Sequence, residues 1–330
     1  MGNNRILIVR WWISWFSIFS FILFLIFGNG VLVGSSFWVP FWGKYNVNHG
    51  EYFGYSKDID NAMHLAEYYN IGGCMDLAAN SDIIMIGNSR MQMAWDPKIV
   101  RLVAKENNIS IYNLAVGHAE GFAFFNALIK KYPIYNKVVL VHVDKYFQIH
   151  SGPAKESENN SLEVYFRFFD RQTMFRLKNL SELFGSQKLT GLLELKPIDS
   201  LLLKSFVDGF WNSTHFPNMD QKGPQCVEVY NSLISTFRET DLESLVVELI
   251  ARGCFVILTT IPTTDSSSAD AEEIAQAMGV SFLKNDLHDV KLDTFDGSHL
   301  ARTDAKKFTE VTLPKIIEIA KSYYINKGMR

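Results

Sequence analysis

The sequence predicts an α/β fold, a three-layer α/β/α sandwich around a mostly parallel five-stranded sheet. Two observations carry this. From residue 82 onward, short and continuous apolar runs recur, and amphipathic segments of helical period separate them. The runs are "DIIMIG" (82–87), "IYNLAV" (111–116), "KVVLVHV" (137–143), "CFVILTTI" (254–261) and the weaker "VSFL" (280–283). Continuous apolar strands suit a parallel sheet covered on both faces, and the helices between them supply the covers. Those helices are expected around 97–107, 119–131, 240–252, 268–278 and 303–323, the last with a candidate kink at Pro314. Residues 148–237 break the rhythm. They are rich in aromatics, as in "VYFRFFD" and "FVDGFWNSTHF", and read as a mainly helical insertion. They follow the carboxyl end of the third strand, the edge where open α/β sheets bind ligands, so a lid or substrate platform is expected. The aromatics suit either sugar stacking or the core of a small subdomain.

Ahead of the sheet, residues 11–43 hold no charged side chain and five of the seven tryptophans. A helix from Trp11 to Trp38 would be about 40 Å long, enough for a bilayer core and both interfaces. Trp11, Trp12 and Trp15 would sit at one interface and Trp38 and Trp42 at the other, while Arg5 and Arg10 hold the N-terminus in the cytoplasm. A cleaved signal peptide is the alternative, but the run is about twice an ordinary h-region and lacks an Ala-x-Ala ending. Either reading exports the rest of the chain. The expected layout is a cytoplasmic N-terminus and transmembrane anchor (1–43), a neck (44–80) with a helix in "DIDNAMHLAEYYN", and the main domain (81–330) with its insertion.

The 330-residue chain carries a formal net charge of −3, and nothing about its charge suggests nucleic acid. Cys74, Cys226 and Cys254 have no metal-ligand spacing, so no metal or cofactor is expected. A Cys74–Cys226 bridge is permitted outside the cytoplasm without being implied, and Cys254 reads as a buried thiol.

Within the first apolar run the chain reads "GNSR", with Ser89 directly after the strand. There it is either a helix N-cap or a nucleophile beside free backbone N–H groups. The stretch "TFDGSHLARTDAKKF" (294–308) sets Asp296 three residues before His299, so a carboxylate can hold one ring nitrogen while the other faces outward. By itself the pair could be a turn cap and a surface histidine. A serine after the first strand and an Asp-x-x-His after the last can meet at one sheet edge, which supplies nucleophile, base and orienting acid together. In "NLAVGHAEG" (113–121), Gly117 ends the second strand, where a glycine lets a backbone N–H approach a ligand, or serves a simple turn.

These blocks, in this order, resemble those of the SGNH (GDSL-like) hydrolase and acyltransferase superfamily. "IGNSR" resembles its first block, "NLAVG" its second and "DGSHL" its last; the likeness spans about residues 80–324 and skips the insertion. The resemblance implies a flavodoxin-like SGNH fold, with Ser89 as nucleophile and Asp296 and His299 completing the triad. It also implies an oxyanion hole from the backbone of Ser89 and Gly117. Where many members carry Gly-x-Asn-Asp, this chain reads "LVHVDKYF": Asp144 matches the last acid, and Val143 stands where the oxyanion asparagine would be. Losing one such donor removes about 2.7–4 kcal/mol of transition-state stabilisation. His142 is a candidate substitute, and Asn88, Arg90, His118, Glu120 and Asp144 are candidate cleft or substrate residues.

With the anchor, the likeness points to exported O-acyltransferases of cell-surface polysaccharides. It implies an acyl donor, a polysaccharide acceptor, a place at the membrane and a multi-pass membrane O-acyltransferase as partner. The alternatives are a carbohydrate esterase and an inactive scaffold in a polysaccharide modification or export complex.

Overall fold

The five apolar runs become five parallel strands of one sheet. The computed structural model describes residues 50–55, 63–117, 121–144, 201–214, 216, 218–229, 241–285 and 290–329, with 15–17, 20 and scattered residues between 167 and 178. In chain order the elements are β1 (Glu51–Tyr55), α1 (Met63–Tyr68), α2 (Cys74–Asn80), β2 (Ile83–Ile86), α3 (Ser89–Met93), α4 (Pro97–Glu106), β3 (Ile111–Asn113) and α5 (Gly121–Lys131). There follow β4 (Val138–His142), β5 (Leu202–Ser205), β6 (Trp211–Asn212), α6 (Asp241–Ala251), β7 (Phe255–Thr259), α7 (Ser268–Met278), β8 (Ser281–Leu283) and α8 (Arg302–Asn326). The helices have recognisable causes. Asp96 caps α4 ahead of Pro97, and Ser267 caps α7, which ends on Gly279 in the left-handed conformation.

The parallel sheet has the order β3-β2-β4-β7-β8. The chain steps outward from β2 to β3 and then crosses to β4 on the other side. The gap between β2 and β4 is thus the switch point, where open sheets of this order bind ligands. The strands alternate between two cores. Ile84, Ile86, Val139, Val141 and Leu258 pack with α1, α2, α5, α6 and α7, whereas Ile83, Met85, Val138, Leu140 and Ile257 pack with α3, α4 and α8. Every residue of β2 and β4 is buried, which is why their sequences show no polar alternation.

One sequence expectation is corrected. Residues 63–80 are no spacer: Met63, Leu65, Ala66, Cys74, Met75 and Ala78 lie in the main core. Most of the insertion, and with it the expectation that it is mainly helical, lies outside the described residues; its described part has helical residues between 167 and 178 and adds β5 and β6, which join β1 in an antiparallel sheet of order β1-β5-β6. The insertion's Phe168, Phe175, Phe206, Phe210 and Trp211 are buried, so these aromatics serve packing rather than an exposed stacking surface. Helix α8 runs as one element through Pro314, whose ring sits on the exposed face. All three cysteines are free; Cys74 is buried and its thiol donates to the Ala66 carbonyl, and Cys254 is buried as expected. The apolar run 11–43 lies outside the described residues except for 15–17 and 20. Among the described residues no helix is long and apolar enough to cross a membrane.

Candidate active site

Ser89 is the first residue of α3, and its helix is capped by Asn88, whose side-chain oxygen accepts the Arg90 N–H at 3.0 Å. The capping role open to Ser89 in the sequence is therefore filled by its neighbour. The Ser89 hydroxyl lies 2.9 Å from His299 Nε2 instead. The other ring nitrogen, Nδ1, is 2.8 Å from Asp296 Oδ2. Asp296 Oδ1 accepts the backbone N–H groups of Ser298 and His299 at 2.9 and 2.8 Å, so the carboxylate is oriented by its own loop. Partial burial would raise the Asp296 carboxyl. The His299 ring and the two amides outweigh that and hold it below the usual carboxylate range.

The geometry depends on a tight strand-to-helix turn. A Cβ on Gly87 would lie 2.8 Å from the Cβ atoms of both His142 and Met91, so only glycine lets β2 turn this close to β4. The loop carrying His299 is also pinned. Thr264 donates from its hydroxyl to the Gly297 carbonyl at 2.6 Å, and Gly223 donates its N–H to the Thr294 carbonyl at 2.7 Å. Phe295 stacks on the His299 ring at 5.8 Å between centroids.

Gly117 follows the end of the β2–β3 ladder, where the Val116 N–H donates to the Gly87 carbonyl at 3.0 Å. This sets Gly117 beside the turn that presents Ser89. Among the described residues, the backbone N–H groups of Ser89 and Gly117 have no hydrogen-bond acceptor. Two free donors next to a hydroxyl–imidazole–carboxylate chain can stabilise an oxyanion formed when that hydroxyl attacks a carbonyl.

The other candidate residues take a different part. Arg90 is buried: its Nε donates to Ser298 Oγ at 3.1 Å, and its guanidinium meets Asp265 at 2.7 Å and Asp144 at 3.4 Å. Asn88 Nδ2 donates to Asp144 at 2.8 Å, and His142 Nε2 lies 3.1 Å from the same carboxylate. The Ile261 N–H donates to His142 Nδ1 at 3.2 Å. Both of its nitrogens are engaged, so it does not substitute as an oxyanion donor. The buried Arg90 and Asp144 and the half-buried Asn88 therefore form a brace beneath Ser89. Val143 points into the main core, because in a strand only positions 142 and 144 share the face toward Ser89. His118 and Glu120 lie outside the described residues. The sequence reading missed Asp265 and Ser298, although Asp265 follows the fourth strand at the same carboxyl edge, a position that could have marked it.

Burial alone would raise the Asp144 carboxyl; His142, the Arg90 guanidinium and Asn88 hold it down to about 2. An unfolded aspartate titrates near about 3.9, so on acidification the unfolded chain takes up this proton first. The brace's contribution is present in full above the unfolded value and is lost as the pH falls through about 2. Asp144→Asn is accordingly expected to flatten the acid limb of the urea-midpoint profile, and a limb identical to the parent's would contradict this.

A cavity of about 300 Å³ has Gln92, Trp211, Asn212, Ser213 and Arg302 among its lining residues; Ser89, Gly117, Asp296 and His299 do not line it. Among the described residues no three His, Cys, Asp or Glu side chains gather as a metal site. No protein-family model, curated protein or solved structure matches the chain, so the site stands on its own geometry.

Proposed function

We propose that this chain is a membrane-anchored, extracytoplasmic acyltransferase of the SGNH type, which carries an acyl group, acetyl or similar, on Ser89 and passes it to a hydroxyl of a cell-surface or exported polysaccharide. The observation that carries the reading is the unbroken hydrogen-bond chain from Ser89 Oγ through the His299 ring to Asp296, at 2.9 and 2.8 Å. Ser89 Oγ attacks the acyl carbonyl as its proton passes to His299 Nε2, and Asp296 stabilises the imidazolium. The Ser89 and Gly117 N–H groups hold the oxyanion, which collapses to acyl-Ser89 as the donor's leaving group takes the proton from His299. His299 then removes the proton of an acceptor hydroxyl, which attacks acyl-Ser89, and the proton returns to Ser89 Oγ as the ester leaves.

The switch-point location, the sheet order and the charge-free run 11–43 support this reading. A multi-pass membrane O-acyltransferase fits as the source of the acyl group, because an anchored domain can receive it at the membrane surface. One observation favours a second reading, a carbohydrate esterase: the Asp296 side chain is 40% exposed and that of His299 18%, so water reaches the site. A chromogenic acetyl ester assayed with and without an oligosaccharide acceptor separates the two. Transfer predicts acylated oligosaccharide and faster chromophore release with acceptor; release indifferent to acceptor, with acetate as the sole product, contradicts it.

A further inference from the structure

A fully buried charge pair lies behind the Gly117 segment. Lys204, on β5 of the small sheet, donates to the Glu67 carboxylate on α1, and both residues have no exposed surface. Lys204 also donates to the Ala115 carbonyl at 2.9 Å. Two charges taken out of water are expensive to hold, and apolar side chains of similar size are often no less stable in such a place. Stability alone is a poor account of the pair.

Its third partner suggests a better one. Ala115 lies two residues before Gly117, and its carbonyl receives a second donor, Gln92 Nε2 of α3. The Ala115 N–H is held by Asn113 Oδ1 at 3.0 Å, and the Val116 N–H by the Gly87 carbonyl. The turn between β5 and β6 braces the same segment. The Asn113 N–H donates to the Asp208 carbonyl at 2.8 Å, and Tyr112 donates its hydroxyl to the Phe206 carbonyl at 3.1 Å. Gly209, at φ +70°, comes so close that a Cβ there would collide with the Asn113 carbonyl. The small sheet thus grips the chain immediately before the free N–H of Gly117.

We infer that Lys204, with Glu67 as its counter-ion, is a positioning residue that pins segment 113–117 so that the Gly117 N–H faces the Ser89 turn. The antiparallel sheet then acts as the platform for that half of the oxyanion hole. The inference rests on the reading of Ser89 as nucleophile. Its test uses the full-length double variant Glu67→Gln/Lys204→Met, which removes both charges with little change in volume. Two readouts are taken: hydrogen exchange of the hydrogen-bonded Ala115 and Val116 amides, and the rate at which a fluorophosphonate labels Ser89.

The expected result is a melting midpoint close to the parent's, exchange faster on the order of 10-fold, and labelling slower by about 10²-fold. A second pair, Glu67→Leu/Lys204→Leu, fills the site with apolar bulk and must give the same changes if the first pair does not fold. Unchanged exchange and unchanged labelling in a folded double variant would overturn the inference. If the parent itself takes no label, the proposed function fails separately. Exchange alone then decides the positioning role: faster exchange supports it, and unchanged exchange overturns it.

Discussion

Ser89→Ala is expected to lower kcat for a chromogenic acyl ester by about 10⁴–10⁶-fold while leaving the unfolding midpoint unchanged. The separation of the two effects follows from the local structure. A serine acting as N-cap would take about 0.5–2 kcal/mol of stability with it on replacement by alanine. Here Asn88 caps α3, and among the described residues the Ser89 hydroxyl bonds only to His299. His299→Ala is expected to fall nearly as far. The double variant should be no slower than Ser89→Ala alone, because residues that act as one unit are not additive. Ser89→Ala that destabilises the protein yet keeps its activity would return Ser89 to a structural role.

The second large effect is on stability. Arg90→Met is expected to destabilise the fold by about 3–5 kcal/mol, read from the denaturant midpoint, because it leaves the buried Asp144 and the partly buried Asp265 without their shared cation. Activity should fall further than the loss of folded protein explains. Arg90 Nε is the donor to Ser298, and Ser298 lies in the loop that aims His299 at Ser89. Arg90→Lys should fall between the two, since an ammonium keeps the charge but cannot span Asp144, Asp265 and Ser298 at once. If Arg90→Met unfolds at the parent's midpoint, the brace is worth little.

The central sheet was legible because its strands are buried on both faces, so "IIMI" and "VVLVH" leave a continuous apolar trace. The amphipathic helices α4 to α8 were legible from their period. Ser89, Gly117, Asp296 and His299 could be named because a parallel sheet with alternating helices puts strand ends at one edge. The small antiparallel sheet was not legible. Its strands are two to five residues long, β1 carries a register irregularity between Phe53 and Tyr55, and its partner strand lies about 150 residues away. A lysine within "LLKS" reads as a solvent-facing residue, whereas burial against Glu67 is a tertiary fact that no local pattern encodes. The same holds for Arg90, whose partners come from three distant loops. Position 143 looked like a missing donor because its neighbours matched a motif; the pleat turns its side chain to the core and turns His142 and Asp144 toward Ser89.

The measurement closest to the central claim is fluorophosphonate labelling of the full-length chain, followed by peptide mapping. An activated serine oxygen attacks the phosphorus of a fluorophosphonate with loss of fluoride, and the phosphoryl oxygen of the adduct occupies the oxyanion position. The account predicts one adduct, on Ser89, absent from Ser89→Ala and strongly slowed in His299→Ala. No adduct on the folded parent chain, or an adduct that persists in Ser89→Ala, would contradict it.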